Sequence, residues 1–117
     1  SQINNEKLSL NDFKPKRDYV YVKDVVSAFL LAIEYDSNSN LEIFNIGSGN
    51  SNSVKEIVEI ILKEKGKEIE VHYGNSDRKI EVMDVRYNIN KASDLLGWRP
   101  KYDIVKGLKD MMKYYST

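Results

Sequence analysis

Strand-like and helix-like segments alternate along this chain of 117 residues, and the alternation limits the fold more than any other feature. Residues 19–22 and 41–46 are rich in the β-branched and aromatic side chains typical of strands. Residues 69–73 alternate apolar and polar side chains, as a half-buried strand does. Apolar residues at helical spacing follow the first two of these segments and return near the C-terminus. The order predicts an α/β fold.

Five residues mark the predicted helix boundaries. Ser53 and Glu56 form a capping box, and Gly66 stands where the same helix is expected to end. Asp24 and Asp103 precede apolar runs and are predicted to cap the first and last helices.

Composition excludes several classes of function. The chain is 41% hydrophobic and 31% charged, which predicts a single domain over residues 1–117. Eighteen basic residues balance eighteen acidic ones, so neither nucleic acid nor an anionic membrane is expected as a partner. No apolar run approaches the roughly 20 residues of a membrane span. No signal peptide is visible, and cytoplasmic localisation is therefore expected. Without cysteine and with one histidine, no disulfide or multi-histidine metal site is predicted.

Two arginines are the candidate ligand-binding residues. Arg17 stands at the entrance of a predicted strand, where a guanidinium can bind a diphosphate through paired hydrogen bonds. Arg78 lies in a predicted loop and could reach a phosphate or ribose in the same way. The alternatives are a surface ion pair of Arg17 with Asp18 or another acid and simple solvation of Arg78. Arg86 is a weaker candidate.

Other motifs have simpler structural interpretations. The Gly-Ser-Gly turn at 47–49 lacks the third glycine of a dinucleotide fingerprint and the Lys-Ser/Thr of a P-loop, so it predicts a turn before a helix. Tyr-x-x-x-Lys begins at Tyr19, Tyr87 and Tyr102, but none of these pairs is predicted to lie on one helix face. We therefore predict no catalytic residue. Trp98 is expected to be a packing anchor.

Four segments in order resemble the extended short-chain dehydrogenases, also called the NAD-dependent epimerase/dehydratase family. They are Arg-Asp-Tyr-Val-Tyr-Val-Lys-Asp from 17, Phe-Asn-Ile-Gly-Ser-Gly from 44, Arg-Lys-Ile-Glu from 78, and Asn-Lys-Ala with Leu-Leu-Gly-Trp-Arg-Pro over 90–100. The third segment departs from the family's Arg-Pro-Gly-Asp at three positions. The resemblance is to UDP-glucose 4-epimerases in particular.

This resemblance implies a role. Family members bind a sugar nucleotide between a Rossmann domain and a smaller C-terminal domain, and the matching arginines imply that Arg17 contacts the diphosphate and Arg78 a phosphate or ribose. The family's NAD-binding turn and catalytic Tyr-x-x-x-Lys would precede residue 1. The chain is therefore expected to be the substrate-binding C-terminal portion of an extended Rossmann-type enzyme, lacking the dinucleotide-binding core.

Three further expectations follow from the same resemblance. NAD would serve the parent enzyme, whereas the fragment alone would bind no cofactor and catalyse nothing. The strands near Tyr19 and Leu41 would belong at the edge of the absent Rossmann sheet, so exposed apolar faces predict self-association as a homo-oligomer.

Three alternatives remain open from sequence. The parent could be a nucleotide-sugar 4,6-dehydratase, reductase or decarboxylase. The chain could be a non-catalytic module that binds a nucleotide or a protein. It could also be a structural α/β domain whose arginines form surface ion pairs.

Overall fold

The computed structural model describes residues 7–10, 13–37, 41–74 and 84–115. Within these ranges the strands and helices follow one another in the order β1 (Lys7–Leu10), β2 (Lys16–Arg17), α1 (Val22–Glu34), β3 (Asn52–Ser53), α2 (Val54–Lys65), β4 (Glu70–Tyr73), a π-helical turn (Ala92–Leu96) and α3 (Ile104–Tyr115).

The strands form two short pairs. β1 and β4 are parallel, with Leu8 opposite Val71, and β4 confirms the strand predicted from the alternation at 69–73. β2 and β3 are antiparallel, with Arg17 opposite Asn52. The second pair is only two residues long, but it connects the start of α1 to the start of α2.

Two predicted strands do not form in the described structure. Residues 19–21 are irregular, Val22 begins α1, and 41–46 pair with no strand. The physical reason is that a strand is defined by hydrogen bonds to a neighbouring strand. A segment rich in β-branched residues does not by itself provide that neighbour. The hydrogen-bonded ladder involves β2 instead, which ends two residues before the predicted strand at 19–22 begins.

The predicted caps hold for two helices out of three. The amide of Glu56 donates to Ser53 Oγ over 3.2 Å, and Gly66 ends α2 in the left-handed conformation with φ of 62°. The amide of Lys106 donates to Asp103 Oδ1 over 2.7 Å at the start of α3.

The predicted cap at Asp24 was wrong. Tyr21 is the N-cap of α1 and makes no side-chain cap, while Asp24 lies inside the first turn and is 1% exposed. Its carboxylate accepts from the amides of Lys101 and Tyr102 at 2.9 and 3.0 Å. Asp24 therefore joins α1 to the segment that enters α3, because amides distant in sequence supply the donors of its carboxylate.

The core lies between α1 and the π-helical turn. Ala28, Ala92 and Trp98 are buried together, and Phe44 and Ile46 pack against them. Trp98 Nε1 donates to the carbonyl oxygen of Asp24 over 2.9 Å. The expectation that Trp98 is a packing anchor is confirmed.

The outer face of α1 remains exposed. Val26, Phe29 and Ile33, which recur at helical spacing, are 51%, 66% and 80% exposed. None of the helices in the described ranges combines the length and apolar character that crossing a membrane requires.

Candidate functional site

Arg17 lies where three chain segments meet, which we call the Arg17 junction and define as residues 16–18, 47–53 and 84–87. The first segment pairs with the second through β2 and β3. It meets the third through a parallel bridge between Lys16 and Asp84, where the amide of Val85 donates to the carbonyl of Lys16 over 2.9 Å. The position of Arg17 is thus set by tertiary contacts on two sides.

The carboxylate of Asp18 holds the junction together. Oδ1 accepts from the amide and the hydroxyl of Ser48 at 2.7 and 2.6 Å. Oδ2 accepts from the amides of Gly49 and Tyr87, each at 3.0 Å. One side chain therefore joins all three segments.

These hydrogen bonds set the charge state of Asp18. Partial burial raises the pKa of its carboxyl, but the bonds from the Ser48 side chain and from the amides of Tyr87, Ser48 and Gly49 outweigh that effect, so the pKa lies below its usual value. Asp18 is accordingly ionised at neutral pH.

Gly47 permits the close approach of this carboxylate. A Cβ at this position would lie 2.7 Å from Asp18 Oδ2 and 3.2 Å from Cδ2 of Tyr87. Any larger residue would displace one of these two groups.

Arg17 is half-buried, and its guanidinium folds along its own strand. Nη1 donates to the carbonyl oxygen of Lys16 over 2.8 Å. Arg17 and Asp18 both lie in the described part of the chain and form no ion pair within 4 Å, so pairing of Arg17 with Asp18 is contradicted. The donors to Asp18 are amides and a hydroxyl, and they leave the charge of Arg17 unneutralised by its neighbour.

The other candidate arginines fare differently. Arg78 lies outside the described residues, so its role stays a prediction. Arg86 is exposed and stands between Val85 and Tyr87, whose amides both bind the 16–18 segment. The fold thus brings Arg86 onto the segment that borders Arg17.

Asp18 is the residue that sequence reasoning missed as a functional candidate. Its position after an arginine favoured an ion pair, and its actual donors lie 30, 31 and 69 residues further along the chain. The sequence contains a short acidic side chain at position 18 and a Gly-Ser-Gly turn at 47–49. It does not specify that this acid binds the amides of that turn.

The Gly-Ser-Gly turn does not fit the phosphates of a dinucleotide. A phosphate cradle needs free backbone amides, and the amides of Ser48 and Gly49 are already bound to the carboxylate of Asp18. The interpretation as a turn before α2 is supported.

The Tyr-x-x-x-Lys pairs also remain unsuited to catalysis. Tyr19, Tyr87 and Tyr102 all lie outside the helices of the described structure. No cluster of three or more His, Cys, Asp or Glu side chains suited to a metal ion occurs among the described residues.

A second polar network lies beside the junction and joins α1 to α3. The hydroxyl of Tyr21 donates to Asp110 Oδ2 over 2.5 Å, and Lys23 Nζ lies 2.8 Å from the same oxygen. The hydrogen bond to Asp110 raises the pKa of Tyr21 to about 12. The ring of Tyr21 also packs against the ring of Tyr102, with 4.7 Å between centroids and an interplanar angle of 57°.

A cavity of about 270 Å³ lies next to this network. Its lining is mostly apolar and comes from the 19–21 segment, α2, residues 102–103 and α3, including Tyr19, Ile57, Tyr102 and Met111.

The chain matches known proteins over almost its whole length. The family model described as GDP-mannose 4,6 dehydratase matches residues 1–111. A curated relative, CDP-abequose synthase of Salmonella muenchen, is 34% identical over 110 residues, which are 93% of this chain and 37% of that protein.

Solved structures show the same fold. UDP-glucose 4-epimerase of Thermotoga maritima, determined with UDP-glucose, has a TM-score of 0.81 at 36% identity. The match covers 93% of this chain and 34% of the epimerase chain. UDP-glucuronic acid 4-epimerase of Bacillus cereus, in complex with NAD, has a TM-score of 0.79 at 25% identity. That match covers 99% of this chain and 38% of the epimerase chain.

The matches fall on the C-terminal parts of extended Rossmann epimerases, which confirms the predicted α/β fold class. The chain spans about a third of the length of the curated relatives it matches. With the family model covering residues 1–111, the chain belongs to the NAD-dependent epimerase/dehydratase family and corresponds to the C-terminal portion of its members.

Proposed function

We propose that this chain forms the nucleotide-sugar-binding part of an NAD-dependent epimerase that resembles UDP-glucose 4-epimerase. In this proposal residues 1–117 act as one unit. Arg17 binds the diphosphate of the substrate, and Arg78 contributes a second cation from a segment that the structure does not describe.

The observation that carries the proposal is the state of Arg17. It is held by backbone contacts at a junction of three segments, and the neighbouring carboxylate is bound to amides instead of to its guanidinium. A positioned guanidinium that is not paired with the neighbouring Asp18 suits a diphosphate, because it offers paired hydrogen bonds to the phosphate oxygens. The relative from Thermotoga maritima, determined with UDP-glucose, supports the same ligand class.

NAD is assigned to the Rossmann part of the family fold. The glycine turn of this chain has its amides bound to Asp18, so it is not a second dinucleotide site. When NAD is bound in the Rossmann part, it supplies hydride chemistry at the sugar. The residues of this chain bind the nucleotide end of the substrate.

Other reactions of the family keep the same binding role. The matching family model is described as a GDP-mannose 4,6 dehydratase, and a relative from Escherichia coli is a dTDP-4-dehydro-6-deoxyglucose reductase, so a dehydratase or reductase is the alternative for the parent reaction. That alternative changes the chemistry at the sugar and leaves the role of Arg17 unchanged.

The test is isothermal titration of the chain with UDP-glucose, UDP and NAD. We expect weak binding of UDP-glucose and UDP, no binding of NAD, and a loss of affinity of about tenfold or more in Arg17→Ala, since a hydrogen bond to a charged group contributes about 1.5–3 kcal/mol. Arg99→Ala is the matched control, because Arg99 is exposed and lies outside the junction.

The outcomes separate the proposals. Binding of UDP that survives Arg17→Ala would contradict the assigned role of Arg17. Tight binding of NAD by the chain would contradict the assignment of the cofactor to the Rossmann part. Equal loss of affinity in Arg99→Ala would show a general effect of positive charge.

A further inference from the structure

We propose that Asp18 is the positioning residue of this site: its carboxylate fixes the end of β2 against the Ser48–Gly49 turn and Tyr87, and so holds Arg17 where it meets a diphosphate. The inference rests on the proposed function of Arg17 and adds a residue that acts through it.

The first argument is that the acceptor capacity of Asp18 is filled. An ionised carboxylate offers about four acceptor sites. The amide and hydroxyl of Ser48 and the amides of Gly49 and Tyr87 supply four donors at 2.6–3.0 Å. With its sites filled by uncharged donors, Asp18 has no acceptor site left for the guanidinium beside it.

The second argument concerns the backbone on either side of Arg17. On one side β2 pairs with β3, which fixes Arg17 opposite Asn52. On the other side the carboxylate of the next residue is bound to two distant segments. The guanidinium is therefore carried by a backbone that is held at both ends, which is how a binding side chain becomes preorganised.

The third argument is that the neighbouring residues suit this arrangement. Gly47 leaves room for Asp18 Oδ2, since a Cβ there would lie 2.7 Å from it. The four hydrogen bonds of the Asp18 carboxylate, which we call the Asp18 clasp, are distinct from the contacts of Arg17 itself.

The experiment is a double-mutant cycle on the 117-residue chain, with UDP and uridine as titrated probes. The variants are Asp18→Asn, Arg17→Ala and the double variant, and Asp36→Asn removes the same charge from an exposed aspartate elsewhere. We expect Asp18→Asn alone to weaken UDP binding about tenfold, yet by less than about twofold when Arg17 is already alanine. Uridine, which has no phosphate, should lose less than about twofold.

A purely structural role predicts another result. If Asp18→Asn weakens UDP by the same factor with and without Arg17, or weakens uridine equally, the positioning inference is overturned. An unchanged UDP affinity in Asp18→Asn overturns it as well.

A milder variant covers the case in which Asp18→Asn does not fold. Ser48→Ala removes one donor, the hydroxyl at 2.6 Å, and keeps the carboxylate and all three amides. It should weaken UDP binding by about two- to threefold and only while Arg17 is present. Equal weakening in the Arg17→Ala background would count against the inference.

Nuclear magnetic resonance separates this inference from the proposed function. If wild type binds no UDP, the role assigned to Arg17 fails, and the positioning is then read from the Nε–H signal of Arg17 and from the amides of Ser48, Gly49 and Tyr87. Asp18→Asn should shift the Arg17 signal and speed hydrogen exchange at the three amides. An unshifted Arg17 signal overturns the positioning inference by itself.

Discussion

At the scale of single residues, short acidic side chains organise this protein by binding amides far away in sequence. Arg17, directly before Asp18, favoured an ion pair for that residue, and the apolar run after Asp24 favoured a helix cap. Each instead accepts backbone amides from distant segments. A buried or half-buried carboxylate is stable when donors fill its acceptor sites, and amides satisfy this need without a cation.

Gly47→Ala should disturb the Asp18 clasp. The new Cβ would lie 2.7 Å from Asp18 Oδ2, so we expect a loss of about 1–3 kcal/mol in the free energy of unfolding. The pKa of Asp18 should rise toward its usual value, because displaced oxygens lose hydrogen bonds. Urea unfolding and carboxyl titration by nuclear magnetic resonance measure both effects.

The control for this substitution is Gly66→Ala. Gly66 has a left-handed φ of 62° but nothing within 4 Å of its Cβ position. It should lose stability through backbone strain alone and leave the pKa of Asp18 unchanged. An Asp18 pKa in Gly47→Ala that stays as low as in the wild type would show that the glycine is not needed for the clasp.

Asp18 should also make stability depend on pH in a defined window. Its pKa in the folded protein lies below the 3.8 of the unfolded chain, so the stabilisation is fully present above about pH 4 and is lost as the pH falls through the folded pKa. The difference in unfolding free energy between wild type and Asp18→Asn should therefore be constant near neutral pH and shrink below about pH 4. A difference that stays constant down to about pH 2 would contradict this assignment.

At the scale of secondary structure, side-chain networks at the start of α1 join this helix to α3 and to the segment that precedes α3. Trp98 and Asp24 form one link, and Tyr21, Lys23 and Asp110 form the other. The second link is a carboxylate shared by a phenol and an ammonium group. Its hydrogen bonds, from Lys23 first and Tyr21 next, lower the pKa of Asp110.

Asp110→Asn tests this second link. The hydrogen bond to the Asp110 carboxylate raises the pKa of Tyr21 to about 12, so removing the negative charge should bring that pKa back toward 10.0. Titration of labelled tyrosine ring carbons by nuclear magnetic resonance measures the change. Asp94→Asn, on the π-helical turn, is the matched control and should leave Tyr21 unaffected. A Tyr21 pKa that stays near 12 in Asp110→Asn would place the cause elsewhere.

At the scale of the whole molecule, the chain exposes apolar surface that a folded protein normally covers. Phe29, Leu30 and Ile33 on α1 are 66%, 61% and 80% exposed, and Ile43 is 68% exposed. The radius of gyration is 17.2 Å, against about 13 Å for a compact domain of this length. An apolar groove of about 220 Å³ runs beside this face, between Phe29 and Phe44.

We therefore expect the chain to self-associate through the outer face of α1. Burial of apolar surface contributes roughly 25 cal/mol per Å², which favours association of such faces. Sedimentation velocity should show species larger than a monomer for wild type. The double variant Phe29→Lys with Ile33→Lys should shift the population to monomer while keeping its far-ultraviolet circular dichroism.

The matched control adds charge to the polar side of the same helix. Glu34→Lys lies at the exposed end of α1 and should leave the association unchanged. A monodisperse wild-type monomer, or association that survives the double variant, would contradict the assigned interface.

The sequence by itself determined those features whose causes are local. The capping box at Ser53 and Glu56, the helix end at Gly66 and the alternation in β4 all formed as predicted, because their partners lie within a few residues. The ordered motifs were also enough to identify the family, and Arg17 was selected from its place before an apolar segment.

Only the tertiary structure decided the rest. Strand pairing occurs at β2 and β3 and not at the predicted segments 19–22 and 41–46. Pairing depends on a partner strand that composition does not specify. The donors of Asp18 lie 30 to 69 residues away and those of Asp24 77 and 78 residues away, so no local pattern could identify them. The surroundings of Arg17 follow from those distant amides, since they bind the carboxylate that would otherwise have paired with the arginine.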